Sequence, residues 1–451
     1  MLNEYPFLLL ASTLLQPTPS STILGSNNIH RQQQQQQQTI TESQKFYQNI
    51  VYKCLDEQFM PQMNLLLLSS NQQQKYLQLQ SISKLRQLCN YHSNFLEFLI
   101  YDYQENLSTF CNHFEQKEDL KILENFFWLY HKIYNNNLKG LIPLILVKMI
   151  HYSKNSFNDW FSSNETTQSS SKSIIDDHYL IDYAICNDLI SYGVELHQWI
   201  GKKEQLEIDN YHQWKQKFTN LLVLMGDHCF VKMMALVVVY KDIGLYNCYT
   251  DSKLKNIEGA FSLCTYDADN DNNQNNSNVI TNLDKIIQQF EMIISTSNTD
   301  TITSKLLDKS SWSMTTVNYL LSYCYLTYGF QLSFFISELF HKYGLNEQAK
   351  KFAIEFGHNL GMAIKLSHLL DDSSTNLINI HQMTNNENIF FESIPIEIRK
   401  KLFQYYIGRA KQLYVENIIQ RQQQQQQFND RSLIIINLFG QYLDQLQILD
   451  Q

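Results

Sequence analysis

Residues 351–372 read KFAIEFGHNLGMAIKLSHLLDD. With the preceding Ala349, the apolar residues Phe352, Ala353, Phe356, Leu360 and Ile364 recur at helical spacing, so one face must pack against other helices. Working outward, the same periodicity predicts helical blocks at 44–68, 75–115, 118–135, 138–153, 178–201, 213–243, 280–297, 312–344, 395–420 and 431–449, with this stretch inside a block at 346–370. No β-alternation of useful length interrupts them. Only 13 glycines and 6 prolines occur in 451 residues, so few chain breaks are written in. The fold class read from this is all-α, a large helical bundle.

Low-complexity segments lie between the blocks. Glutamine tracts occupy 32–38 and 422–427, a Ser/Thr-rich run 162–173, an Asn/Asp run 267–278, and a polar loop 371–388. Such segments bury too little apolar area to offset ordering entropy and are read as insertions or tails. The organisation expected is a mobile N-terminal segment at 1–43, a helical N-terminal region at 44–117, and the bundle at 118–450. Its disordered insertions are placed near 162–173, 267–278, 371–388 and 421–430.

Composition excludes several classes. A net charge of −9 lacks the basic face that a sequence-independent nucleic-acid binder needs. Eight scattered cysteines show no C-x-x-C pair, which argues against a zinc site or a disulfide framework. The longest apolar blocks, Leu221–Met225 and Met233–Tyr240, are separated by Gly226, Asp227 and Lys232, so no transmembrane segment is expected. The apolar block Phe7–Leu15 is preceded by Glu4, and the first basic residue is Arg31, a poor match to a secretory or transit leader.

Three phrases carry the functional signal. NNLKGLIPLILVKMI holds Lys139, Gly140 and Pro143; HYLIDYAICNDLISYGVELHQWIGK ends in Leu196 and His197; and 351–372 holds Gly361. In order and spacing they resemble the diphosphate-binding G-K-x-x-R-P phrase and the two aspartate-rich helices of the trans-polyprenyl diphosphate synthases. The KFTNLLVLMGDHCFVKMMALVVV segment, with Gly226 and Asp227, is similar to that family's next helix, where the pair serves helix packing and a local hydrogen bond. The resemblance covers roughly residues 120–445. It is nearest the decaprenyl-diphosphate synthase subunit 2 branch, through Leu138–Leu141 and Leu196-His197.

The implied fold is the isoprenoid-synthase type of helical bundle. Where active members carry aspartates, however, this chain has Gln198, Trp199 and Lys202 in the first motif, and His368, Leu369 and Asp372 in the second. Aspartates at i, i+1 and i+4 would share magnesium with a substrate diphosphate and draw off the leaving group. Five of these six positions cannot do so.

The resemblance therefore implies a non-catalytic or regulatory subunit, with no catalytic residue and no metal site of its own. Its partner would be a catalytic polyprenyl diphosphate synthase subunit in a hetero-oligomer, and magnesium would belong to that partner. By the same resemblance its product is the ubiquinone side chain and its place is the mitochondrion. Lys139, Lys202 and Lys365 are the candidates for a retained diphosphate contact. Trp199 is expected to plug the volume of the lost metal cluster. His197 and His368 are read as core histidines rather than metal ligands. Two alternatives remain open: a prenyltransferase in its own right using Asp371 and Asp372, or a helical scaffold unrelated to isoprenoids.

Overall fold

The computed structural model describes residues 81–82, 84–86, 88–89, 138–161, 177–198, 211–264, 276–296, 299–307, 316–370, 394–424 and 430–448. The segment 1–43, nearly all of 44–137, the runs 162–173 and 371–388, and Trp199, Lys202, Asp371 and Asp372 lie outside these residues.

The described chain is helical. Its elements are α1 (Leu141–Tyr152), a 3-10 turn (Lys154–Trp160), α2 (Asp177–Gln198), α3 (Tyr211–Tyr240), α4 (Ile243–Cys264), α5 (Asn276–Thr296) and α6 (Thr299–Leu307). Then follow α7 (Thr316–Cys324), a π turn (Tyr325–Gly329), α8 (Phe330–Lys342), α9 (Glu347–Leu370), α10 (Ile396–Tyr414), a second π turn (Val415–Ile419), α11 (Gln420–Gln424) and α12 (Asp430–Ile448). Among the described residues the extended pairing is limited to one isolated bridge, Phe161 to Leu345.

The helix α9, which carries the opening stretch, lies at the centre. Asn346 starts it, its Oδ1 accepting from the amides of Gln348 and Ala349 at 3.1 Å each. Ala349, Phe352, Ala353, Phe356, Leu360 and Ile364 are all buried, as their spacing requires. One side of α9 packs on α10 and the other on α8 and the first π turn. Gly357 and Gly361 let the backbones meet: a Cβ at Gly361 would stand 2.7 Å from the Tyr328 carbonyl oxygen, and one at Gly357 2.6 Å from Ser333 Cα. Phe356 stacks with Phe352 at 5.3 Å, and Tyr414 and Phe439 extend the aromatic core towards α12. On the α5 side, His358 Nε2 donates to Glu291 Oε1 at 3.0 Å.

The helix α2 forms a hairpin with α3, while α4 crosses α2, α7, the π turn and α8. The periodicity at 213–243 does not extend to α4, yet residues 243–264 form a full helix after a break in which Lys241 takes φ 50°. Asp242 then caps it, its Oδ1 accepting from Leu245 N at 3.1 Å. The reason α4 escapes the apolar pattern is that its buried face includes Ser252, Lys255 and Asn256. Lys255 Nζ donates there to Glu258 at 3.0 Å and to Thr303 on α6 at 2.9 Å. The 421–430 insertion also needs correction, because Gln420–Gln424 continue the preceding helix as α11. Likewise the last three residues of the 267–278 run belong to α5.

Candidate functional site

The three phrases singled out in the sequence meet at one place: the turn before α1, the C-terminal half of α2, and the C-terminal half of α9. The first π turn lies between them. Asn187, Asp188, Ser191 and Glu195 make a polar stripe along one side of α2, at i, i+1, i+4 and i+8.

Lys139, like Leu369, is only 2% exposed. Its ammonium donates to the Thr327 carbonyl at 2.9 Å and to Gln331 Oε1 at 2.8 Å, and lies 3.5 Å from the centroid of the Tyr328 ring. The remaining polar groups close a network. Gln331 Nε2 donates to Asn187 Oδ1 at 2.6 Å and Ser191 Oγ at 3.2 Å, and Asn187 donates to the Lys139 carbonyl. Gly140 N donates to Asp188 Oδ1 at 2.7 Å. Burial pushes the Lys139 pKa down to about 7, against Glu195 and Asp188, which raise it, and with Lys365, which lowers it further. A diphosphate contact through Lys139 does not fit this placement, because its ammonium is spent on interior acceptors.

Lys365 approaches the same ring from α9, 5.2 Å from the Tyr328 centroid and 4.9 Å from that of Tyr323. Burial works against its charge, but Tyr323 and Glu195 outweigh it and hold its pKa above the ordinary lysine value. Tyr328 is thus flanked by two ammonium groups, with His368 edge-on at 5.7 Å between ring centroids. Its hydroxyl donates to Glu195 Oε1 at 2.9 Å. Burial and the adjoining Glu195 keep that phenol neutral, its pKa well above the usual tyrosine value.

Tyr328 reaches this position because of the π turn. Phe330 N donates to Tyr325 O, a five-residue step, which rotates the following residues out of α-helical phase. Tyr328 is thereby buried at the centre of the cluster, 3% exposed. Trp199, expected to plug the volume of the lost metal cluster, lies outside the described residues.

The other flagged residues fall as follows. Leu369 is buried, and its carbonyl accepts from Arg399 Nη1 at 2.8 Å. His368 is part-exposed beside Tyr328, and Gln198 is the last residue of α2. His197 rests directly on Gly226, where a Cβ would come within 2.4 Å of its ring. Its Nε2 lies 3.2 Å from the Val223 carbonyl and 3.4 Å from Asp227 Oδ1. The Gly226-Asp227 pair thus serves helix packing and a local polar contact, as the sequence predicts.

Magnesium requires several hard oxygen ligands. The donors brought together here are two ammonium groups, an imidazole, a phenol and the carboxylates of Asp188 and Glu195, which accept from Gly140 N and from the Tyr328 hydroxyl. Among the described residues no group of three or more His, Cys, Asp or Glu side chains could hold a metal.

A second feature lies on α3. One face, with Leu221, Leu222, Met225, Cys229, Met233 and Val237, is buried against α2. The opposite face exposes Leu224 (51%), Val231 (65%) and Val238 (66%) at seven-residue intervals, with Val239 beside them and the exposed Asp227 between the first two. Thr219–Tyr240 is also long and apolar enough to cross a membrane by length and composition.

No family model matches the sequence, and no curated protein matches it. Solved structures give distant likenesses. A decaprenyl diphosphate synthase from Rhodobacter capsulatus aligns with a TM-score of 0.40 and 10% identity, over 79% of this chain and 99% of the other. The apo form of an Arabidopsis medium/long-chain length prenyl pyrophosphate synthase aligns with a TM-score of 0.33 and 12% identity, over 69% and 90%. Likeness at this level does not by itself establish a common fold.

Proposed function

We propose that this chain is the non-catalytic subunit of a long-chain polyprenyl diphosphate synthase, built on an isoprenoid-synthase-type bundle. One observation carries the reading: the three phrases that resemble the family's substrate and metal motifs come together around Tyr328 of the π turn, where two lysines stand and the carboxylates Asp188 and Glu195 are bonded within the chain. Ionisation of an allylic diphosphate needs positive charge delivered to the departing group by metal ions. Positive charge beside Tyr328 comes instead from the ammonium groups of Lys139 and Lys365.

The role left for the chain is to pair with an active synthase. The exposed face of α3 is the surface we assign to that contact, since Leu224, Val231, Val238 and Val239 gain by burial against another protein. The complex would extend an allylic starter with isopentenyl diphosphate, using magnesium held by the partner. The ubiquinone side chain as product and the mitochondrion as location are part of the same proposal.

The test uses this chain alone, an active synthase subunit of the same organism alone, and the two co-expressed. Each is supplied with farnesyl diphosphate, labelled isopentenyl diphosphate and magnesium. Co-purification, with long-chain product raised in the pair and absent from this chain, is the expected result. Product from this chain alone would overturn the proposal.

A further inference from the structure

We propose that Arg421, clamped on Asp159 and Trp160, is a helix seed for the glutamine tract at 422–427. The clamp fixes the first residues of the tract as a continuation of the α10 helix. It thereby turns the tract away from the intermolecular β pairing open to glutamine runs. The inference stands apart from the subunit reading and does not depend on it.

The chain reaches the tract through the second π turn. Gln420 N donates to Val415 O, a five-residue step that adds one residue to the helical count. Everything beyond it is rotated by about 100° relative to an unbroken helix. Ile418 is fully buried there, and Arg421 lies over the 3-10 turn. Its guanidinium carbon is 4.9 Å from the Trp160 ring centroid and 5.8 Å from that of Phe157. Its Nη1 donates to Asp159 Oδ1 at 2.5 Å.

The platform beneath is itself well held. Trp160 is fully buried, with Phe157 at 5.1 Å, Phe352 at 5.3 Å and Phe340 at 6.3 Å between centroids. Asn346, at the start of α9, ties down the same turn. It donates from Nδ2 to the Asp159 carbonyl at 2.5 Å and from its amide to the Trp160 carbonyl at 2.7 Å.

Gln420–Gln424 are helical as α11, so the tract opens inside a helix already formed. Nucleation is the costly step of helix formation, whereas extending an existing turn adds one hydrogen bond for each residue fixed. Glutamine is a good helix former, so what a run of it lacks is the nucleus. Without one it samples coil, from which stacked β pairing with other copies proceeds. Arg421 is the sole cation in 420–427, and its fork makes the ion pair and the stacking contact together. Standing at the head of the tract, it sets the conformation of the residues that follow.

The test lengthens the tract of the full-length chain by about twenty glutamines after Gln427, enough for further helical turns. Circular dichroism reads helicity, hydrogen exchange with mass spectrometry reads the amides of Gln420–Gln424, and thioflavin fluorescence reads fibres. With Arg421 in place those amides should exchange about tenfold more slowly than in Arg421→Ala. The lengthened chain should gain helical signal. Lengthened Arg421→Ala should lose that gain and form fibres with a lag about threefold shorter. Alanine has the higher intrinsic helix propensity, so propensity alone predicts the opposite sign. Asp159→Ala leaves the tract's own sequence untouched and should move the same readouts in the same direction, by less.

Equal protection and equal lag in a folded Arg421→Ala protein would overturn the inference. So would a loss confined to Arg421→Ala with Asp159→Ala unchanged, because Arg421 would then act within the tract and not through the clamp. Should Arg421→Ala fail to fold, Asp159→Ala carries the test alone, since that carboxylate is 55% exposed. Wild-type protection and lag in that variant refute the seed.

Discussion

At the meeting of α2 and α9 the chain buries charge, while along the outer face of α3 it exposes valine and leucine. The interior network is tolerated because its donors and acceptors are matched. Lys139 has two acceptors, Gln331 bridges Asn187 and Ser191, and Tyr328 meets Glu195. The α3 face has no such match within the described residues. Its apolar groups at 224, 231 and 238 look outward at a regular seven-residue repeat. The contrast teaches that the two regions answer different demands: the first satisfies its polar groups within the chain, and the second leaves apolar side chains on the surface.

The largest expected effect breaks the second region without touching the first. Val231→Glu with Val238→Glu should weaken capture of the active synthase subunit by more than about a hundredfold, since charge would then sit at the centre of an apolar contact. Folding stability should stay within about 0.5 kcal/mol, because both side chains are on the surface. Pull-down and chemical denaturation on the same preparations check the two halves of this expectation.

Next in size, Gly361→Ala attacks the packing that brings α9 against the π turn. Its Cβ would meet the Tyr328 carbonyl oxygen at 2.7 Å, a backbone atom with little freedom to yield. A loss of about 2–3 kcal/mol in denaturant unfolding is expected.

The pH dependence sharpens the comparison further. Lys139 has a folded-state pKa of about 7 against an ordinary value of 10.5. Between these values the unfolded chain binds more protons than the folded one, so stability rises with pH above about 7. The contribution should approach about 1.4 kcal/mol per pH unit. Buried Cys186, Cys229, Cys248 and Cys324, whose thiols are pushed above the ordinary value of 9.0, oppose the trend as pH passes that value. The slope is therefore best read from pH 7 to 9 as the difference between wild type and Lys139→Met, which should lose it.

The smallest effect concerns a single hydrogen bond. Tyr328→Phe keeps the ring between the two lysines and removes only the donor to Glu195, at an expected cost of about 1 kcal/mol in thermal or denaturant unfolding.

Much of the fold was legible in advance, for reasons visible at particular residues. The helix at 346–370 was placed within one residue because its buried face is apolar throughout and its start is capped by Asn346. The helix α4 was missed because Ser252, Lys255 and Asn256 are buried among its core positions, which erases the apolar period. At the site, Lys139, Lys365, His368 and Leu369 were flagged through the family resemblance, and all lie in or beside the cluster. Glu195 was not, and Tyr328 is legible only as one of a run of core aromatics. Glu195 is one of four polar residues on the same side of α2, a stripe that would have pointed inward had it been weighed. Tyr328 is placed by the π turn, whose five-residue step defeats a 3.6-residue reading.

The claim at the centre is that this chain contributes structure and not chemistry to a prenyl-chain synthase. Asp371 and Asp372 are the carboxylates that would have to act if it were catalytic. The direct measurement is long-chain product from the co-purified pair, comparing wild type with Asp371→Asn/Asp372→Asn in this chain, under saturating isopentenyl diphosphate and magnesium. Unchanged product formation, with capture of the partner intact, is the expected result. A collapse of product formation while the pair still assembles would contradict the claim and place a metal-dependent active site in this chain.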